Sequence, residues 1–257
     1  MFDPEPDCAI IKSILEDAVR LNQTGRWEVS AIIGISLLVS VIVIRAASTN
    51  SSVLFEETFT DKQNPDGTPK GWRLKEWSGS NPVIRLESEK EITALHLISV
   101  SNSFDLYKEF TFDVREYSIL RWRWKATVLP KGGDVRSKET DDQAAAIYVP
   151  FPRFPAFINT RLVGYLWENK TPKDLKVTSQ KFSNTRYIVL ESGTEKLDQW
   201  VDEKRNIYED YKTLFGEEPP LAGGITLMID SDDTHSRAES FFDNIRIEKA
   251  DMAEAKH

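Results

Sequence analysis

The chain has a single cysteine, Cys8, among 257 residues, so no disulfide can close within it. Histidine is nearly as scarce, at His96, His235 and the terminal His257. These few residues show no metal-ligand spacing, which leaves zinc without a ligand set. No phosphate-cradling glycine loop and no Ser-His-Asp elbow occurs. Basic residues number 33 against 41 acidic ones. The resulting net charge of −8 disfavours nucleic acid, whose binding rests on Lys and Arg meeting phosphates. No basic run or basic helix offsets it. Long uncharged runs are rare too. The one of note, VSAIIGISLLVSVIVI from Val29 to Ile44, lies between Glu28 and Arg45.

A membrane-spanning helix wants about 20 apolar residues, so this run is short. Trp27, Arg26 and Arg45 extend it by snorkelling into the interfaces. The alternative is the core of a cleavable signal peptide, cut near Ala46, Ala47 and Ser48. The preceding leader is long and carries Asp3, Glu5, Asp7, Glu16 and Asp17, whereas signal peptides open short and basic. The expectation is therefore a cytoplasmic amphipathic leader over 1–28 and a transmembrane anchor or signal segment over 29–47. Arg20 and Arg26 before the run, against Arg45 after it, set the N-terminus inside. The rest of the chain is expected in the periplasm, on a single-pass protein of a bacterial inner membrane, or secreted there after cleavage.

Beyond residue 50 the chain is rich in aromatic residues and in period-two alternation, the signature of strands with one buried face. Leu120, Trp122 and Trp124 share one face of a strand while Arg121, Arg123 and Lys125 share the other. Further strands are expected at 53–59, 83–87, 92–99, 104–112, 144–149, 162–167, 186–191, 225–229 and 241–247. Turn chemistry separates them, as in Asn64-Pro65-Asp66-Gly67 and Lys131-Gly132-Gly133-Asp134; Gly223-Gly224 also reads as a turn. One helix is predicted over Trp200 to Phe215, stopped by Gly216. No alternating βα rhythm is present, so the class is all-β: a jelly-roll-like β-sandwich over 53–250 with one inserted helix. A short tether, 48–52, precedes it and a tail, 251–257, follows.

The pieces RWRWK (Arg121 to Lys125), DDQAAAIYV (Asp141 to Val149), GYLWEN (Gly164 to Asn169), RYIVLESG (Arg186 to Gly193), EKRNIYEDYKTLFGEEPP (Glu203 to Pro220), LMIDSDDT (Leu227 to Thr234) and FDNIRI (Phe242 to Ile247) together resemble one uncharacterised bacterial family, known as domain of unknown function three-thousand-and-forty-seven. The resemblance runs in order through almost everything after residue 55. It implies an exported β-sandwich similar to galactose-binding-like and carbohydrate-binding modules, and it implies no known reaction.

Several residues are candidates for chemistry. Asp230 and Asp232, with Thr234, spell the nucleophile motif of haloacid-dehalogenase-like phosphatases. Only 23 residues follow Thr234, too few for the loops such enzymes need. A turn with local side-chain bonds, or a cation loop, fits better. Asp141 and Asp142 open a strand, where neighbours point to opposite faces. They cannot form one catalytic dyad, though Asp141 can pair with Glu168 or Asp230. Trp167 and Glu168 join these acids as candidate ligand-binding residues. Arg121 and Arg123 form a basic stripe that suits an acidic ligand or is an ordinary solvated face. PFPRFPAF, from Pro150 to Phe157, cannot continue a central strand and is either a contact loop or a cover over one end of the sandwich. Finally, Glu57 and Asp243 stand at core-facing parity in the first and last strands. A shared structural calcium is one expectation there, with an ion pair or outward-turned acids as the alternatives. The carbohydrate-binding modules this domain resembles often hold calcium in such a place. The function expected is a non-catalytic, membrane-tethered domain that binds an envelope glycan or polysaccharide. An envelope glycan hydrolase and a structural partner of an envelope protein are the alternatives.

Overall fold

The computed structural model describes residues 51–89 and 92–250. The leader, the membrane or signal segment and the tail expected from the sequence lie outside the described residues, as does most of the tether. No helix among the described residues is long and apolar enough to cross a membrane.

The described residues form thirteen strands and two short α-helices, with one turn of 3-10 helix at Lys138–Thr140. In order these are β1 (Val53–Glu57), β2 (Arg73–Ser78), β3 (Val83–Glu89), β4 (Ile92–Val100), β5 (Ser103–Phe112), β6 (Ile119–Val128), β7 (Ala145–Phe151), α1 (Ala156–Asn159), β8 (Arg161–Glu168), β9 (Lys176–Thr178), β10 (Thr185–Ser192), β11 (Val201–Asn206), α2 (Ile207–Phe215), β12 (Ala222–Asp230) and β13 (Arg237–Glu248). They make a two-sheet β-sandwich. One sheet runs β11-β6-β13-β4-β3, with β1 added to the C-terminal half of β13. The other runs β2-β5-β12-β7-β8-β10-β9. Pairing is antiparallel except between β8 and β10.

The core fills the space between the sheets, as alternation requires. Leu120, Trp122 and Trp124 of β6 face Val163, Tyr165 and Trp167 of β8. Trp122 and Trp124 meet edge to face at 5.3 Å, and Trp124 packs on Trp167 at 5.8 Å. Several kcal/mol of apolar burial are concentrated in this aromatic layer.

The structure corrects three sequence expectations. The predicted helix over 200–215 divides: Val201–Asn206 is β11, and only Ile207–Phe215 is helical. Asn206 caps it, accepting from the Glu209 amide at 3.1 Å, so the helix begins where the strand ends. Gly223 and Gly224 form no turn; they lie inside β12 at a bulge against β5. Pro150 does continue a central strand. Beyond Tyr148, β7 pairs only with β8, so its missing N–H faces the bulged part of β12 and breaks no ladder. Phe151 is buried, whereas Phe154 in the same motif is 96% exposed.

Candidate functional site

The outer face of the seven-stranded sheet carries an open cleft of about 1110 Å³. Alternation supplies its floor. Phe104 and Leu106 point into the core, so Asp105 and Tyr107 point outward; Ile147 and Val149 point in, so Tyr148 points out. Ile188 sends Tyr187 outward, and Leu227 and Ile229 do the same for Met228 and Asp230. Gly164 of β8 lets the two tyrosines close over it. A Cβ there would stand 2.7 Å from the Tyr187 ring and 2.8 Å from that of Tyr148. The rings meet edge to face at 6.1 Å. Burial raises both phenols above their ordinary range, so they stay neutral hydrogen-bonding groups. The walls are exposed aromatics: Trp77, 52% exposed, from β2, and Phe182, 59% exposed, from the loop before β10.

One end of the cleft is acidic. Asp105 accepts from the Trp77 indole N–H through Oδ2, and its Oδ1 has no partner in the protein. Burial pushes its carboxyl up to about 6. Asp141 accepts from the Gln143 amide at 2.7 Å and is also pushed up to about 6, chiefly by burial. Asp230 is raised well above the carboxylate range by burial and by its acidic neighbours Asp232 and Asp142. Asp232 titrates below its ordinary value, held there by Asp230, Ser78 and the charge of Lys181 against a burial that opposes it. One carboxylate oxygen of each of Asp142, Asp230 and Asp232 lies within 4.8 Å of the others.

Asp142 does not open a strand and has a separate task. Its oxygens accept from the amides of Asp233 at 3.1 Å and Thr234 at 2.7 Å and from the Thr234 hydroxyl. It fixes the β12–β13 turn against the start of β7. Asp141, its neighbour, turns to the cleft instead. The 230–236 segment is thus a turn with local side-chain bonds, and Asp230 also lines the cleft.

The other sequence candidates lie elsewhere. Trp167 is fully buried in the aromatic core and faces no ligand. Glu168 is also fully buried; its Oε2 accepts from the Asn169 amide at 3.2 Å and it does not line the cleft. Arg121 and Arg123 lie on the outer face of the six-stranded sheet, away from the cleft. Arg121 is paired with Glu248, and Arg123 sits 4.3 Å over the Trp200 ring and 3.8 Å from Asp243. Glu57 does face inward, but its carboxylate takes the Phe59 amide, the Trp72 indole N–H at 2.9 Å and the Lys108 ammonium at 3.1 Å. Asp243 faces the other way. A register shift after it separates inward Phe242 from inward Ile245 and Ile247, leaving Asp243 outside beside Arg123. The two acids of the expected calcium site occupy opposite faces of their sheet and share no ion. Glu57 matches the ion-pair alternative and Asp243 the outward-turned one.

A family model described as "Protein of unknown function (DUF3047)" matches residues 70–246. The chain belongs to the DUF3047 family. That span includes every cleft residue named above. No curated protein matches the chain. Among solved structures it is similar to the family 11 carbohydrate-binding module of a cellulosomal cellulase, Lic26A-Cel5E, of Clostridium thermocellum, with 8% identity and a TM-score of 0.41 over 78% of this chain and 97% of that one. It is also similar to a family 30 carbohydrate-binding module of cellulosomal cellulase Cel9D-Cel44B of the same organism, with 13% identity and a TM-score of 0.43 over 77% and 99%. The CBM22-1 xylan-binding domain of Paenibacillus barcinonensis Xyn10C follows, with 13% identity and a TM-score of 0.34 over 77% and 96%.

Sequence reasoning for this DUF3047 member found Asp141, Asp230 and Asp232 and missed Trp77, Asp105, Tyr148, Tyr187, Lys181 and Phe182. One signal was available. FDLYK and AIYV place a polar or phenolic residue between inward apolar ones, which marks an outer face. The same spelling marks any solvated sheet face, so it does not single out a cleft.

Proposed function

We propose that this domain binds a glycan in the cleft over its seven-stranded sheet. The observation that carries the reading is the cleft itself: an open trough of about 1110 Å³ with exposed aromatic walls and buried phenol and carboxylate groups along its floor. Sugar rings present apolar C–H faces that stack on aromatic rings and equatorial hydroxyls that need acceptors. Trp77 and Phe182 supply the first, and Asp105, Asp141 and Asp230 the second. An open trough suits an internal stretch of polymer. The apolar run Val29 to Ile44 would tether the domain at the outer side of a bacterial inner membrane, where envelope polysaccharide is the available ligand.

Asp141, whose carboxyl burial pushes up to about 6, and Asp230, raised by burial and by its acidic neighbours, favour one second reading, a glycan hydrolase using the two together. One experiment addresses both. The full chain is titrated with a panel of soluble oligosaccharides while Trp fluorescence and the reducing ends released are followed. The expected result is saturable binding without turnover. Trp77 is half exposed, so Trp77→Ala should leave the fold intact and weaken binding at least about tenfold, as for an aromatic anchor; Trp77→Phe should keep most of it. Turnover lost in Asp141→Asn would promote the hydrolase. Full affinity in Trp77→Ala would remove this cleft as the site.

A further inference from the structure

The acidic end of the cleft asks for more than a sugar hydroxyl. Asp105 is only 5% exposed, and its Oδ1 is buried with no donor in the protein. A carboxylate oxygen so placed is costly unless something donates to it. Strand register puts Asp105 opposite Met228 and Asp230 opposite Ser103, so the two acids are diagonal neighbours on one face. Asp141 and Asp232 line the same end, and Asp232 Oδ1 is also buried and unpartnered.

The lysines that line the cleft have partners. Lys181 is ion-paired with Asp233, and Lys108 is paired with Glu57. Lys75, whose charge acts on Asp105, is held 3.4 Å over the Trp77 ring. Asp105, Asp141, Asp230, Asp232 and Asp233 therefore outnumber the two lysines whose charges reach them, Lys75 at Asp105 and Lys181 among the rest. An anionic glycan would be repelled. A neutral one offers donors but no charge. An ammonium group offers three donors and a positive charge, and charge-assisted hydrogen bonds are about twice as strong as neutral ones.

We infer that the Asp105–Asp230 end of the cleft receives a primary ammonium group, and that the ligand is a hexosamine polymer carrying free amino groups. This rests on the glycan reading above and narrows it to one chemical class. Burial, which disfavours the charged carboxylates in the free protein, is offset when the ammonium docks.

The test is calorimetric titration of the full chain at a pH of about 6, where amino-sugar ammonium groups and a share of the carboxyl groups are charged. The probes are a β-1,4-linked glucosamine oligomer, its fully N-acetylated counterpart, and calcium chloride alone. The free-amino oligomer should bind at least about tenfold tighter than the acetylated one. Asp105→Asn keeps an acceptor for Trp77 and should abolish that preference, so that the two oligomers bind alike. Asp230→Asn, checked for an intact melting transition, should act in the same direction. Equal or tighter binding of the acetylated oligomer overturns the amino-sugar inference and leaves the glycan reading standing. Calcium binding with neither oligomer bound overturns both and assigns the acids to a metal. No binding of any probe overturns the amino-sugar inference and leaves the glycan reading to the oligosaccharide panel.

Discussion

A single buried acid shows how the layered sheet hides information from the sequence. Glu168 ends β8 fully buried, with Oε2 on the Asn169 amide and Oε1 without a partner. Burial pushes its carboxyl up to about 7. The unfolded chain would titrate it near its ordinary value, so its ionisation penalises the fold above about pH 7 and is absent below about pH 4.5. Glu168→Gln keeps the acceptor for Asn169 and removes the charge. It should stabilise the protein by about 1–3 kcal/mol at pH 8 and change little at pH 5, measured by thermal melts at both. A destabilised variant at pH 8 would mean the carboxylate has a partner after all. Trp167 and Glu168, candidate ligand residues from the sequence, lie in a strand whose two faces are both apolar. Val163, Tyr165 and Trp167 face the main core, while Leu162 and Leu166 pack in a second cluster with Tyr148 and Tyr187. A strand buried on both sides loses the alternation that tells inside from outside.

Among elements, the ten strands legible in the sequence all appear, and the three that were missed are β2, β9 and β11. All three are edge strands. RLKEWS and VDEKRN carry the charges that protect an edge from pairing with another chain, and those charges mask the strand signal. The same limit hid the cleft, since Trp77 comes from β2. Gly224 is another case where local spelling misled. Its φ is +133°, and a Cβ there would lie 2.1 Å from the Lys108 carbonyl oxygen, backbone that cannot step aside. Gly216 is the contrast: it caps α2 at φ +71° with open space around it. Gly224→Ala should cost at least about 3 kcal/mol and Gly216→Ala about 1 kcal/mol by denaturant unfolding. Equal costs would mean the bulge between β12 and β5 is not held as described.

At the scale of the whole molecule, the charges divide into two populations with opposite pH behaviour. Burial comes first among the causes that raise Asp105 and Asp141 to about 6, Glu168 and Glu203 to about 7, and Asp230 well above its ordinary value. Asp134 is lowered to about 2 by hydrogen bonds from Arg136, and Asp113 and Asp66 are lowered by Arg115 and Thr68. The raised acids keep protons in the folded state that the unfolded chain has already released between about pH 4 and pH 7. The folded state then binds more protons than the unfolded one, so stability falls as pH rises through that window. The lowered acids contribute stability that is present above about pH 4 and lost as pH drops through their folded values. The two trends cross near pH 4, which is where the protein should be most stable. Tm should fall by about 5–10 °C between pH 5 and pH 8, because a few kcal/mol shift a domain of this size by that much. Melting curves at fixed ionic strength across this range provide the measurement. Combining Asp105→Asn with Glu168→Gln should flatten the alkaline limb, since it removes two of the buried charges that create it. A Tm maximum at neutral or alkaline pH would mean that these acids are paired or solvated in the folded protein. The cleft would then lack the unsatisfied negative charge on which its ligand class was argued.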